Sequence, residues 1–80
     1  MRNKILRGPV VDSSTGERRS TRYARISKGL FPKPIKLGPR SVGWLESEVE
    51  AINAARAAGK TDDEIRALVL KLEAARKTLA

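Results

Sequence analysis

Two prolines separated by one residue, Pro32 and Pro34, constrain the backbone conformation in the middle of this chain more than any other feature. Proline lacks a backbone N–H and pushes the preceding residue out of the helical region, so residues 31–34 must be extended. Residues 35–37 then alternate loosely between apolar and basic, as in a half-buried strand. Residues 38–40 are typical of a turn, and residues 41–45 form the returning strand. We predict a β-hairpin whose first strand lies at a sheet edge. Trp44, the only tryptophan, is the expected core anchor.

Two short helices are predicted before the hairpin. Pro9 can occupy the first position of a helix over residues 9–14. A second helix covers residues 18–28 and stops at Gly29. On a helical wheel, an apolar stripe of the second helix contains Tyr23, Ile26 and Leu30. An arginine face recurs at i, i+4 and i+7 and consists of Arg18, Arg22 and Arg25, bordered by Thr21 and Lys28.

Two further helices are predicted after the hairpin. A capping box at residues 47–50 begins a helix that runs through Ala58, and a second box at residues 61–64 begins a helix over residues 62–78. The last helix carries one apolar stripe, formed by Ile65, Leu68, Val69 and Leu72 and extended by Ala75 and Leu79. A short helix is marginal alone, so this stripe must be buried. We expect it to pack on its own domain, and self-association through Ile65, Leu68 and Leu72 stays open.

Length and composition predict one small domain that folds without disulfide bonds or a structural metal ion. We divide the chain into a basic arm at 1–8, a main domain at 9–58 and a C-terminal helix at 59–80. The chain has no Cys and no His, which removes disulfides, zinc-finger chemistry and thiol or imidazole catalysis. With no Gly-rich phosphate loop either, we expect no enzyme, no cofactor and no metal site. No segment resembles a membrane span or a signal peptide, so the expected location is the cytoplasm.

Charge is strongly segregated along the chain. Residues 1–44 hold eleven Lys/Arg against two acids, a net +9, whereas residues 45–80 hold six against seven, a net −1. Such segregation indicates a polyanionic partner. A basic helix followed by a basic hairpin is the arrangement with which winged helix-turn-helix proteins meet double-stranded DNA, which predicts a nucleoid-associated protein. An RNA-binding protein is an alternative that the shortage of aromatic residues disfavours. A module that binds another protein through the acidic C-terminal half is a further one.

Several stretches within residues 15–50 match a known family. They are Arg19-Ser20-Thr21, Tyr23, Gly29, Phe31-Pro32-Lys33-Pro34, Leu37-Gly38-Pro39-Arg40, Val42-Gly43-Trp44 and Glu46-Ser47-Glu48-Val49. This segment strongly resembles the AlpA family of phage and prophage regulators, which share the MerR-like winged helix-turn-helix fold with phage excisionases. The resemblance implies a mainly α fold with one β-hairpin wing and, in this chain, four helices including a C-terminal extension helix.

By this resemblance the second helix enters the major groove and the hairpin wing lies along the neighbouring backbone. The matching recognition-helix residues are Arg19, Ser20, Thr21 and Tyr23, and the matching wing residues are Lys36 and Arg40. The charge pattern adds Arg18, Arg22, Arg25, Lys28 and Lys33 to the expected DNA-binding set. We therefore predict a sequence-specific transcriptional regulator, with RNA polymerase or an integrase as open further partners. The alternative is an excisionase-like factor that bends attachment-site DNA.

This sequence departs from the family pattern around its second helix. Glu17 and Arg22 stand where apolar residues are expected, and Arg18 replaces the usual N-cap serine. The arginine face on the helical wheel overlaps the stripe that the family buries. Two outcomes stay open: Arg22 extends outward along the helix, or the helix is rotated or shortened.

Overall fold

Among the residues that the structure describes, four α-helices pack around a small antiparallel sheet. The computed structural model describes residues 4–78. Its elements follow the order β1 (Ile5–Leu6), α1 (Gly8–Thr15), α2 (Arg19–Ser27), β2 (Ile35–Gly38), β3 (Ser41–Leu45), α3 (Glu46–Ala57) and α4 (Asp62–Ala75), with a short 3-10 helix at Arg76–Thr78. The predicted class, mainly α with a β-hairpin between the second and third helices, is confirmed.

The N-terminal strand is the element that the sequence analysis does not predict. The sheet has the order β1-β3-β2, and Ile5 and Leu6 of the predicted arm pair with Leu45 and Trp44. Two residues are too few to show the alternating pattern of a strand. Gly43 permits the close approach of β1, since a Cβ at this position would lie 2.5 Å from the Ile5 side chain and 3.0 Å from the Leu6 carbonyl oxygen.

The predicted hairpin is formed by β2 and β3. Its register shifts by one residue between Lys36, which is opposite Val42, and Gly38, which is opposite Ser41. The extra residue is Leu37, whose side chain is half-exposed, and a bulge of this kind increases the local twist of the hairpin. β2 is an outer strand, as the prolines before it predict.

Trp44 lies at the centre of the core and is fully buried. Its indole Nε1–H donates a hydrogen bond of 2.9 Å to the Pro32 carbonyl. The rings of Tyr23 and Phe31 lie 6.4 and 6.3 Å away, measured between ring centroids, a separation at which tilted aromatic pairs are favourable. The other buried members of this core are Leu6, Val11, Leu30, Val49, Ile52, Ile65 and Val69. The prediction of Trp44 as a core anchor is confirmed.

The third helix begins two residues earlier than predicted, with Leu45 in place of Ser47 at the N-cap, and the predicted capping box at residues 47–50 is wrong. The N-cap residue of α3 is Leu45, whose side chain makes no capping hydrogen bond. β3 runs directly into the helix, so the first helical donor is already satisfied by the sheet edge. The Glu46 N–H donates a hydrogen bond of 2.8 Å to the Lys4 carbonyl, a partner that no local pattern could reveal.

The fourth helix packs on the rest of the domain. The predicted capping box that begins it is confirmed: the Thr61 hydroxyl accepts from the Glu64 N–H at 3.2 Å, and the Glu64 carboxylate accepts from the Thr61 N–H at 2.9 Å. The apolar stripe of α4 enters the shared core through Ile65 and Val69, with Leu68 and Leu72 partly buried against it. Ile65, Leu68 and Leu72, through which self-association was left open, therefore pack on their own domain, as expected. The boundaries 1–8, 9–58 and 59–80 stay predictions.

A partly buried ion pair connects the 3-10 helix to α3. Arg76 donates two hydrogen bonds to the Glu48 carboxylate, from Nε at 2.8 Å and from Nη2 at 2.6 Å, and Glu48 is 3% exposed. The hydrogen bond to Glu48 raises the pKa of Arg76. Arg76 Nη2 also donates to the Lys33 carbonyl at 2.8 Å, and the Lys33 N–H donates to Glu73 at 2.8 Å. Both backbone groups between the two prolines are thus held by C-terminal residues.

We expect Arg76→Met to lower the free energy of unfolding by about 3 kcal/mol, because it leaves the Glu48 carboxylate buried without its cation. Urea denaturation followed by circular dichroism measures the change. Lys71→Met removes an exposed positive charge from the preceding helix α4 and should change stability by less than about 0.5 kcal/mol. Equal losses for the two variants would contradict a structural role for the Glu48–Arg76 pair.

Candidate nucleic-acid interface

The second helix turns small and polar residues outward. The exposed residues of α2 and its caps are Arg18, Arg19, Ser20, Thr21, Tyr23, Ala24, Ser27 and Lys28. Ser20, Ala24 and Ser27 recur at i, i+4 and i+7, so they form the centre of this face. Short side chains at the centre allow another surface to approach the helix backbone closely, while the longer Arg19 and Lys28 flank it. We call the eight exposed residues of α2 and its caps the α2 face.

Ala24 and Ser27 are candidate contacts that the sequence analysis does not identify. Charge and family resemblance direct attention to the arginines and to the first turn of the helix. The available signal is the helical wheel, which brings Ala24 and Ser27 onto the line of Ser20 once Arg22 and Ile26 are taken as inward residues.

Arg19 is held against Tyr23 on this face. Its guanidinium carbon lies 5.6 Å from the centroid of the Tyr23 ring, within the range of a cation–π contact. The same ring meets Trp44 edge-on, with an interplanar angle of 69°. Tyr23 is 37% exposed, and its ring lies between the buried Trp44 and the exposed Arg19. This stacking restricts the conformations of Arg19 before any partner binds.

Arg22 points inward, and the predicted arginine face is wrong at this position. The side chain is 6% exposed. Its Nη1 donates to the Gly8 carbonyl at 2.9 Å and to the Asp12 carboxylate, and its guanidinium carbon lies 4.7 Å from the centroid of the Trp44 ring. Arg22 therefore does not extend outward along the helix. It replaces an apolar residue by combining an ion pair with stacking on the core tryptophan.

Arg25 is half-buried and bound to Glu17. Its Nε and Nη2 donate to the two oxygens of that carboxylate at 2.8 and 2.6 Å, and Arg56 of α3 donates to the same group at 3.0 Å. The hydrogen bond from Arg25 is the main reason that the pKa of Glu17 is lowered. A bidentate pair of this kind is stronger than a single neutral hydrogen bond. The second departure from the family pattern, Glu17, thus links α2 to α3.

The hairpin and the strand beside it carry further exposed cations. Lys33 precedes β2, Lys36 lies on it, and Arg40 occupies the turn; all three are exposed. Lys4 and Arg7, next to β1 and to the start of α1, are exposed as well and were not among the predicted site residues. Free positive charge therefore lies on the α2 face and on the hairpin, while Arg22 and Arg25 are neutralised by acids of the domain.

The candidate site is a surface of polar and basic side chains. Among residues 4–78, no group of three or more His, Cys, Asp or Glu is arranged to hold a metal ion. In the same part of the chain, no helix combines the length and the apolar character needed to cross a membrane.

These features define a class, a small winged-helix-like domain with an exposed polar helix and a basic hairpin. Within that class the chain belongs to the AlpA family: the family model described as Prophage CP4-57 regulatory protein (AlpA) matches residues 4–54. The resemblance inferred from residues 15–50 is thereby confirmed, and the match extends to the N-terminal strand. The C-terminal helix α4 lies outside the matched residues.

Two curated proteins are similar to this chain. The uncharacterized protein ORF88 of Enterobacteria phage P4 is 47% identical over 57 residues, which cover 71% of this chain and 65% of that protein. The DNA-binding transcriptional activator AlpA of Escherichia coli (strain K12) is 40% identical over 53 residues, which cover 59% of this chain and 76% of that protein. No solved structure gives a match.

We expect Arg22→Ala to lower the free energy of unfolding by about 2–3 kcal/mol, because it removes a buried hydrogen-bonded cation and the stacking on Trp44. Urea denaturation measures this change. Arg19→Ala removes an exposed arginine from the same helix and should cost less than about 0.5 kcal/mol. Unchanged stability in Arg22→Ala would contradict the inward, structural position of this side chain.

Proposed function

We propose that this protein is a sequence-specific DNA-binding transcriptional regulator of prophage type. The observation that carries the proposal is the α2 face, with short side chains at its centre and free cations at its edges. The major groove of B-DNA is about 12 Å wide and admits an α-helix. In this proposal α2 enters that groove, and its small central residues allow the helix to approach the base edges.

Base reading is assigned to the first half of α2. Arginine makes its commonest specific contact through two hydrogen bonds to O6 and N7 of guanine. Arg19 is exposed and stacked on Tyr23, so part of its rotamer freedom is already lost before it binds. Ser20 and Thr21 are short and exposed, which suits hydrogen bonds to either bases or phosphates.

Phosphate binding is assigned to the hairpin. Lys36 and Arg40 project from an edge strand and its turn, and Lys33 projects from the segment between the prolines. Contacts to phosphates orient a protein on the duplex without reading sequence. The hydrogen bonds from Arg76 and to Glu73 fix the backbone at Lys33, and this support holds the segment before β2 against the C-terminal part of the domain.

The comparisons support regulation as the biological role. The Escherichia coli relative is named a DNA-binding transcriptional activator, and the matching family consists of prophage regulatory proteins. Activation through RNA polymerase and an excision role beside an integrase would both use this DNA surface. Fold alone does not distinguish the two roles. The positions of genomic fragments selected by the protein, at promoters or at attachment sites, distinguish these roles.

Salt dependence tests the DNA-binding proposal directly. With ~5 phosphate contacts, the logarithm of the association constant should fall against the logarithm of salt concentration with a slope of about −4 to −5. The measurement is fluorescence anisotropy on a fragment that the protein selects from its own genome, and on a random duplex of equal length. A flat salt response, or equal affinity for both duplexes, would remove the proposal of a sequence-specific regulator.

Arg19 and Arg40 should respond differently when each is replaced by alanine. We expect Arg19→Ala to weaken binding to the selected fragment by about 1–3 kcal/mol and to relax base preference, because it loses a guanine contact. Arg40→Ala should weaken binding to both duplexes about equally and reduce the salt slope by about 1, because it loses a phosphate contact.

Lys71→Ala is the matched control for both variants. It removes one exposed positive charge from α4, which lies outside the proposed DNA surface, and should leave the difference between the two duplexes unchanged. If Arg19→Ala weakens both duplexes equally, Arg19 binds a phosphate instead of a base.

A further inference from the structure

An apolar groove of about 210 Å³ lies between the C-terminal end of α2 and α4. Its apolar walls include Ile26, Phe31, Val69 and Leu70. Leu70 is 68% exposed and is the most exposed of the large apolar side chains in residues 4–78. Ile26 lies on the inward side of α2, so the groove is separate from the α2 face.

The side of α4 that borders this groove has a regular pattern of charge. Its residues Asp63, Arg66, Leu70 and Glu73, continued by Lys77 of the 3-10 helix, follow one another at spacings of three and four residues, the spacing of a helix–helix seam. The signs along this seam are negative, positive, apolar, negative, positive. This seam is distinct from the stripe of Ile65, Val69 and Leu72 that enters the core.

We propose that this face binds a second copy of the chain, with α4 against α4 in antiparallel orientation about a two-fold axis near Leu70. In that arrangement Asp63 of one copy faces Lys77 of the other, and Arg66 faces Glu73. A parallel arrangement would bring like charges together. A two-fold contact uses the same patch on both copies, so Leu70 of each copy enters the groove of the other.

The Arg66–Asp63 ion pair already present on the seam leaves it open to such a contact. Arg66 Nη1 lies 3.2 Å from Asp63, and these side chains are 43% and 96% exposed. Exposed pairs within a helix are worth only a few tenths of a kcal/mol. Arg66 Nε also donates to the Lys28 carbonyl at 2.8 Å, and one Glu73 oxygen accepts from the Lys33 N–H. The pair that crosses between two copies uses the Nη groups of Arg66 and the second oxygen of Glu73, so exchanging partners costs little. Covering Leu70 and the groove removes apolar surface from water.

Charge makes this association weak in the free protein. Each copy carries a net charge of +8, and one helix face is small beside the roughly 800 Å² per partner of a standard stable interface. Two copies repel at low salt, and the repulsion falls at about 0.3 M salt, where the Debye length is roughly 6 Å. The inference does not require DNA binding. If both hold, a two-fold pair would bind two half-sites in inverted orientation.

Sedimentation equilibrium of the full chain at about 0.3 M salt tests the proposal. We expect the average mass to rise with concentration from 8.8 kDa towards the mass of a dimer. Leu70→Glu should weaken dimer formation by about tenfold or more, since a charge replaces the central apolar contact. Val10→Glu is the matched control, an exposed apolar residue on α1, and should dimerise as the natural chain does.

Charge exchange supplies a test that does not depend on the apolar contact. Asp63→Lys should weaken the dimer, because it places like charges at both ends of the seam. Adding Lys77→Asp should restore association, since the pairs become complementary again, and circular dichroism checks that every variant is folded. An average mass equal to that of the monomer at every concentration would overturn the proposal. A different protein would then be the candidate that binds the groove. A double variant that associates no better than Asp63→Lys would overturn it as well.

Discussion

The indole of Trp44 is fully buried, and three segments depend on its position. Its ring is covered by Tyr23 and Arg22 of α2, its N–H holds the Pro32 carbonyl at the entry to the hairpin, and its backbone pairs with β1 through Leu6. A core this small has few large side chains from which to build. One tryptophan therefore sets the position of the second helix relative to the hairpin, which is the relation that a winged-helix surface requires.

The arginines of α2 divide into two groups with different physical roles. Arg22 and Arg25 are neutralised by Asp12 and Glu17, and these pairs connect the helix to its neighbours. Arg19 stays exposed and is ordered by stacking on Tyr23. Net charge alone does not distinguish the groups, because it counts a buried paired guanidinium and a free one alike. The α2 face owes its chemical character to this division.

The C-terminal helix adds a support that lies outside the residues matched by the family model. Arg76 reaches the buried Glu48 and the backbone of Lys33, and Glu73 holds the same backbone from the other side. The two prolines leave the Lys33 peptide groups without a regular ladder partner, so these side chains provide the missing hydrogen bonds. α4 thus stabilises the base of the hairpin through polar contacts and the core through Ile65 and Val69.

Local patterns were enough to predict the four helices, the hairpin, the capping box at Thr61 and the buried tryptophan, because each depends on residues close in sequence. β1, the start of α3 and the inward turn of Arg22 were not predictable, since each is decided by a distant partner. The Lys4 carbonyl accepts a hydrogen bond from the Glu46 N–H. The Asp12 carboxylate binds the Arg22 guanidinium, which stacks on the Trp44 ring. The sequence by itself determined the elements and the segregation of charge. Only the tertiary structure decided which cations are free to bind a partner, because burial and pairing arise when distant segments meet.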